Sequence, residues 1–178
     1  MTRASVLDAM HRKPEAEQEF LAAVSLHPSD FTWSALADFY RREDRGPEAV
    51  AALKTAVQLQ PRPELTLVQL GYYLLSLGQA KEALVAFDKA VQRAVPEVTN
   101  ASGRGSFRYN VATGRARAYE ILGDVQQAIS YQEEAIRLAP DAPQAWLNLA
   151  RFYHLDGRPA DEERAKAHAA TLKENESQ

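Results

Sequence analysis

Four arginines lie between residues 98 and 119, and no acidic residue accompanies them. They are Arg104, Arg108, Arg115 and Arg117, in a chain whose formal net charge is −3. Arginine presents a planar fork of N–H donors that binds carboxylates and phosphates through paired hydrogen bonds. The cluster therefore indicates either an ordinary solvated surface or a basic patch for an acidic peptide or a phosphate group.

The remaining polar residues do not predict catalysis. The histidines are His11, His27, His154 and His168, and they show no metal-binding spacing, while the chain has no cysteine. The acidic residues of 161–163 follow Pro159 in a predicted first helical turn, where carboxylates complement the helix dipole. Because a nucleophile, a base and an orienting group cannot be assembled, we predict no enzyme, no metal and no cofactor.

Composition narrows the classes of protein further. The chain has 178 residues, of which 46% are hydrophobic and 25% charged, as in ordinary globular proteins. Its first 13 residues do not resemble a signal peptide, and no apolar run reaches membrane-spanning length. We therefore expect a soluble compartment such as the cytoplasm and no membrane insertion. The acidic net charge argues against nucleic-acid binding, which would show a steep salt dependence.

Four segments of the chain end in one recurring pattern. The pattern Ala-x3-(Phe or Leu)-x2-Ala-x4-Pro occupies 16–28 and 49–61, and 83–90 carries it without the proline. Residues 128–140 keep its two alanines and its proline. Self-similarity at a period of about 34 residues predicts an array of helical repeats.

The unit at 30–62 shows how one repeat is built. Its first helix carries large and small apolar residues at i, i+3, i+4 and i+7, namely Trp33, Leu36, Ala37 and Tyr40. We expect Asp30 to cap this helix, and a turn at 46–47 separates it from a second helix. One helix pair cannot bury its own apolar stripe, so several pairs must stack.

These residues resemble the tetratricopeptide repeat pattern W-x2-L-G-x2-Y, then G, then A-x3-F-x2-A-x4-P. The resemblance implies an all-α fold, a right-handed superhelical solenoid of antiparallel helix pairs with about four repeats and a partial N-terminal one. We expect one domain over 1–178, divided into a partial repeat 1–29, repeats 30–62 and 63–95, a loop insertion 96–108, a repeat 109–142, and a repeat 143–178 that ends in a polar capping helix.

Three departures from the repeat pattern leave alternatives open. The insertion at 96–108 displaces the next repeat by about 11 residues from the usual period. Arg115 occupies a position that usually holds a buried leucine, so either its stem packs and its guanidinium reaches solvent, or the helix is locally rotated. The first repeat, with Ala4 and Leu7 at its small and aromatic positions, is either a short helix or part of a longer repeat protein.

The resemblance also implies where a partner binds, because first helices line the concave groove in this family. Its lining positions here are Phe31, Ser34, Asp38, Arg41, Leu65, Val68, Tyr72, Leu75, Asn110, Thr113, Arg117, Glu120, Gln144, Leu147, Arg151 and His154, with Asn148 beside them. An apolar centre flanked by arginines suits a peptide or helix with apolar anchors and an acidic residue. Alternatively, some of these apolar residues pack against neighbouring helices.

The function we expect is a non-enzymatic protein–protein interaction scaffold that binds a partner's peptide or helix. Alternatives are a regulatory or assembly domain of a larger enzyme or membrane protein, and nucleic-acid or phosphate binding through the arginine cluster at 104–117. Self-association by end-to-end stacking is also possible. The carboxylate clamp of the chaperone-binding subgroup is not expected, since Ser34 and Asp38 replace its lysine and asparagine.

Overall fold

The structure, a computed structural model, describes residues 3–95 and 103–176, and within these ranges the chain forms ten α-helices and no strand. They are α1 (Arg3–Ala9), α2 (Lys13–Leu26), α3 (Asp30–Arg42), α4 (Gly46–Leu59), α5 (Glu64–Ser76), α6 (Ala80–Arg93), α7 (Phe107–Leu122), α8 (Val125–Leu138), α9 (Pro143–Leu155) and α10 (Pro159–Glu176). The predicted all-α repeat fold is confirmed. Most of the predicted insertion, residues 96–102, lies outside the described residues.

The chain forms two compact units, Met1–Leu70 and Gly71–Gln178, and the division falls within α5. In the first unit, α1 packs against α2 and α3 against α4, each joined by a short turn. The Phe20 and Phe39 rings meet in its core with centroids 5.3 Å apart. The prediction of one domain over the whole chain stays a prediction.

The start of α3 differs from the predicted cap. Ser29, not Asp30, is the N-cap residue, and its hydroxyl accepts a hydrogen bond from the Thr32 backbone N–H. The Thr32 hydroxyl in turn accepts from the Ser29 backbone N–H, which completes a capping box. Two otherwise unpaired N–H groups are satisfied in this way. Asp30 lies in the first turn, where its charge complements the helix dipole.

In the second unit, α7 packs against α8 and α9 against α10. Alanines at the crossings allow the helices to approach closely, and larger side chains fill the space between pairs. The cluster of buried residues comprises Ala116, Ala128, Ile129, Ile136, Ala139, Ala142, Ala145, Leu149 and Phe152. The helix α10 buries Ala165 and Ala169, and its role as a polar capping helix stays a prediction.

Phe87 on α6 is fully buried between two glycines of the neighbouring helices. A Cβ atom on Gly71 of α5 would lie 2.6 Å from the ring, and one on Gly114 of α7 would lie 2.3 Å from it. Both distances are well below the roughly 3.5–4.0 Å of carbon–carbon contact. The two glycines therefore provide the space that the phenylalanine ring occupies.

We expect Gly114→Ala to destabilise the protein by about 1–3 kcal/mol, because the added methyl group overlaps the Phe87 ring. Helix propensity alone would have the opposite sign, since alanine is favoured over glycine by about 1 kcal/mol. Thermal unfolding measures the difference. In a Phe87→Leu background the ring is absent and the cost of Gly114→Ala should shrink. A Gly114→Ala protein that is more stable than wild type would show that the two groups do not meet.

Arg115 follows the first of its two predicted alternatives. Its side chain is mostly buried, at 18% exposed, and its guanidinium reaches the carboxylate of Asp88 on α6. The guanidinium carbon also lies 5.4 Å from the centroid of the Tyr131 ring. Packing of the stem with a paired charge at the surface replaces the usual leucine.

No helix in the described part of the chain combines the length and the apolar character needed to cross a membrane.

Candidate functional site

A groove with a volume of about 540 Å³ opens on one face of the second unit, and we call it the α7–α9 groove. Tyr72 of α5, four residues of α7, Gln132 of α8 and three residues of α9 line it. The α7 residues are Thr113, Arg117, Glu120 and Ile121, and the α9 residues are Asn148, Arg151 and Phe152. Its volume lies within the roughly 300–1,000 Å³ range of ligand sites.

Six of the residues predicted to line a binding surface meet in this groove. They are Tyr72, Thr113, Arg117, Glu120, Asn148 and Arg151. On α7 the spacing of i, i+4 and i+7 places three of them on one helical face. This agreement locates the residues together, and partner binding at them stays a prediction.

Other predicted residues of the second unit lie elsewhere. The Asn110 side-chain amide donates to the Gly105 carbonyl, with 3.0 Å between nitrogen and oxygen. Leu147 and His154 line a separate recess beside α10, where His154 Nδ1 is 3.0 Å from an oxygen of Glu162. Gln144 donates through Nε2 to Asn148 Oδ1 at 3.1 Å, so it contacts a groove residue without lining the groove itself.

The predicted apolar centre of the binding surface consists of Leu65, Val68, Tyr72 and Leu75, and the structure buries two of these four. Val68 is only 7% exposed and Leu75 only 3%. Buried apolar side chains stabilise the fold and offer no surface to a partner. The alternative that some predicted lining residues pack against neighbouring helices is correct for both of them.

The predicted residues of the first unit include large exposed apolar groups. Phe31 is 71% exposed and Leu65 is 57% exposed. Arg41 Nε lies 3.4 Å from Asp38 Oδ1, in an exposed ion pair within α3. Ser34 is half-buried. Their role in binding stays a prediction.

The charges in the groove are unequal. Arg151 is paired with Glu120, with 2.9 Å between nitrogen and oxygen. Arg117 is exposed and forms no ion pair with any residue that the structure describes. The groove therefore contains two arginines and one glutamate, and Arg117 gives it a net positive charge.

Tyr72 holds one wall of the groove in place. Its hydroxyl donates a hydrogen bond of 2.7 Å to the Asn110 carbonyl of α7. Burial of the phenol disfavours its charged form and raises the pKa of Tyr72 to about 12. The hydroxyl therefore keeps its proton at neutral pH and continues to donate this bond.

Of the two interpretations of the arginine cluster, the structure favours a solvated surface over one basic patch. Arg104 is 3.6 Å from Asp141 and Arg108 is 3.9 Å from Glu134, while Arg115 pairs with Asp88. Arg108 and Arg115 line one recess and Arg117 lines the α7–α9 groove. Because each helical residue turns by about 100°, two positions separate Arg117 from Arg115 by about 200° around the axis. Three of the four arginines therefore lie near acidic groups, and Arg117 lies on a different face of its helix from Arg115.

Three groove residues were not predicted from the sequence, namely Ile121, Gln132 and Phe152. Gln132 had a signal in the repeat pattern, since it follows Ala128 by four positions, where Leu53 and Phe87 stand in their own repeats. A polar residue at an apolar repeat position is such a signal. Among the described residues, no group of three or more His, Cys, Asp or Glu side chains could hold a metal ion.

Two tetratricopeptide repeat family models match the chain, one over residues 66–94 and one over 113–175. No curated protein matches it in sequence. Its structure is similar to that of MamA, with a TM-score of 0.79 at 16% identity over 99% of this chain and 98% of that one. For BtubC (BKLC) from P. vanneervenii the TM-score is 0.80 at 15% identity, over 98% of this chain and 78% of that one. PilW, described as a widely conserved type IV pilus biogenesis factor, gives 0.74 at 18% identity over 96% and 74%. At these identities the likeness shows a shared fold.

Proposed function

Because the chain belongs to the tetratricopeptide repeat family and is a protein-interaction scaffold, we propose that its α7–α9 groove binds an acidic peptide segment of a partner protein. The observation that carries the proposal is Arg117, an exposed arginine without an ion pair in the described part of the chain, in a groove of ligand size. A carboxylate is the group that an arginine fork binds best.

The electrostatics of the groove support an acidic ligand over a basic one. The chain as a whole carries a formal charge of −3, whereas the groove carries two arginines and one glutamate. Opposite charges at an interface accelerate encounter and suppress wrong partners. An acidic peptide would therefore be attracted to this face of an otherwise negative protein.

The polar groups of the groove suit binding rather than catalysis. Thr113, which has the lining's aliphatic hydroxyl, donates it to the Tyr109 carbonyl at 2.9 Å, so the group is engaged with its own helix. The other polar groups are guanidinium, carboxylate, amide and a phenol whose proton is held. They can form ion pairs and hydrogen bonds with a peptide, and we propose that the protein is not an enzyme.

The test is a selection of 12-residue peptides from a displayed random library on the whole protein. The library is first depleted on the variant Arg117→Glu/Arg151→Glu, which reverses the charge of the groove. We expect peptides enriched in aspartate and glutamate, and a synthetic capped copy should bind wild type but not the variant. Arg137→Glu/Arg164→Glu is the matched control, because it changes the net charge equally at exposed positions outside the groove.

Circular dichroism establishes that each variant is folded as wild type. Peptides without acidic residues, or peptides that bind the groove variant and wild type equally, would show that the α7–α9 groove is not the binding surface.

A further inference from the structure

Gln132 is a polar residue at a position that is apolar in the three preceding repeats. It lies four residues after Ala128, and the residues equivalent to it include Phe20 and Phe87. Phe20 is 4% exposed, Phe87 is fully buried, and Gln132 is only 1% exposed. The protein therefore buries an amide where the fold itself needs a hydrocarbon side chain.

One half of the Gln132 amide has a partner and the other half has none. Nε2 donates to the Ala145 carbonyl at 3.0 Å. Because a carbonyl only accepts hydrogen bonds, this contact determines which end of the amide is which. Oε1 is then an acceptor, and it finds no donor among the described residues. A buried acceptor left without a donor destabilises a folded protein.

The unpaired Oε1 belongs to a residue of the α7–α9 groove, which Gln132 lines together with Arg117 and Asn148. Asn148 Oδ1 already accepts a hydrogen bond from Gln144, so the Asn148 side chain offers its N–H group to a ligand. The lining thus includes a residue with a buried, unpaired acceptor, an amide donor and an arginine. A ligand that satisfies all three supplies an N–H, a carbonyl and a carboxylate.

A peptide in an extended conformation has these groups, whereas a helix does not. Inside a helix the main-chain N–H groups donate to carbonyls four residues earlier, so they are not available. Only the first turn of a helix has free N–H groups, and the positive end of its dipole would face the arginines of the groove. A lysine side chain is disfavoured by the same charges.

We propose that Gln132 Oε1 accepts a hydrogen bond from a main-chain N–H of an extended acidic peptide bound in the α7–α9 groove. The inference rests on the proposed function and deepens it, because it names the conformation of the ligand and a residue that forms a hydrogen bond with the ligand's main chain. Such a hydrogen bond would satisfy in the bound state the acceptor that is unpaired in the free protein.

The experiment uses the acidic peptide selected above as the probe. Each main-chain N–H is removed in turn by N-methylation, and the affinity for wild type and for Gln132→Leu is measured by calorimetry. We expect one N-methyl position to weaken binding to wild type about tenfold, whereas Gln132→Leu should bind the unmodified peptide about tenfold more weakly and lose no further affinity on methylation. Gln132→Leu should also melt higher, because it restores the apolar repeat residue.

Gln127→Leu is the matched control, since Gln127 is an exposed glutamine on the same helix. This variant should bind the unmodified peptide and each N-methylated peptide with the same affinity as wild type. Gln132→Met serves as a second variant if leucine does not fit, and the methylation series on wild type needs no variant at all.

The outcomes separate this inference from the proposed function. If an acidic peptide binds but tolerates N-methylation at every position, or binds Gln132→Leu as tightly as wild type, the inference is wrong and the proposed function stands. A lower melting temperature for both Gln132→Leu and Gln132→Met would show that Gln132 stabilises the fold, and this result would also overturn the inference. Failure of every acidic peptide to bind would overturn both.

Discussion

Replacing Phe87 by alanine is expected to destabilise the second unit by about 3–5 kcal/mol, the cost of removing a fully buried aromatic ring. The ring lies between Gly71 and Gly114 and meets the Tyr72 ring edge-on, with centroids 5.5 Å apart. Glycines line the resulting cavity on two sides, so neighbouring side chains cannot fill it. Loss of the ring therefore removes one packing contact from each of the two neighbouring helices.

Thermal unfolding followed by circular dichroism measures the effect. For a protein of this size, 1 kcal/mol shifts the midpoint by about 2–4 °C, so a fall of about 6–20 °C is expected. Val85→Ala on the same helix is the control, because Val85 is 52% exposed. Equal midpoints for the two variants would show that Phe87 does not hold these helices together.

Arg117→Glu is expected to weaken binding of the selected acidic peptide about 100-fold, or about 2.7 kcal/mol. The substitution removes a charge-assisted hydrogen bond and places a negative charge opposite the ligand carboxylate. Since no described residue pairs with Arg117, its loss leaves no acidic group of the protein uncompensated. The protein's own stability should therefore change little.

Isothermal titration at two ionic strengths checks this prediction. Wild-type binding should weaken as salt is raised, because salt screens exposed charge pairs. Arg137→Glu, which makes the same charge change at an exposed position outside the groove, should keep most of the affinity. Loss of affinity in both variants to the same degree would indicate a long-range effect of net charge and would contradict a contact at Arg117.

The predicted lining and the observed groove share residues of three helices, and half of these residues lie on α7. Thr113, Arg117 and Glu120 share a face of α7 because their spacing repeats with the helical period. The same spacing placed Val68 and Leu75 on one face of α5, yet both are buried. Spacing along a helix defines a face, and it does not say whether another helix covers that face.

The arginine cluster illustrates the same limit. Its members are close in sequence, but helical geometry turns Arg117 away from Arg115, and acidic residues more than 20 positions distant neutralise Arg108 and Arg115. A count of local charges could not include those acids, because they come from other helices.

The sequence alone determined the class of fold, the two-helix repeat and the polar last helix, since apolar periodicity and small residues at crossings act within one or two neighbouring elements. Only the tertiary structure decided which faces remain open, that Phe87 needs Gly114 on another helix, and that Gln132 lies buried beside Arg117. These facts depend on the packing of helices far apart in the chain. The periodicity within one helix determines which side chains it can bury, and the packing of the helices against each other determines which of them are buried.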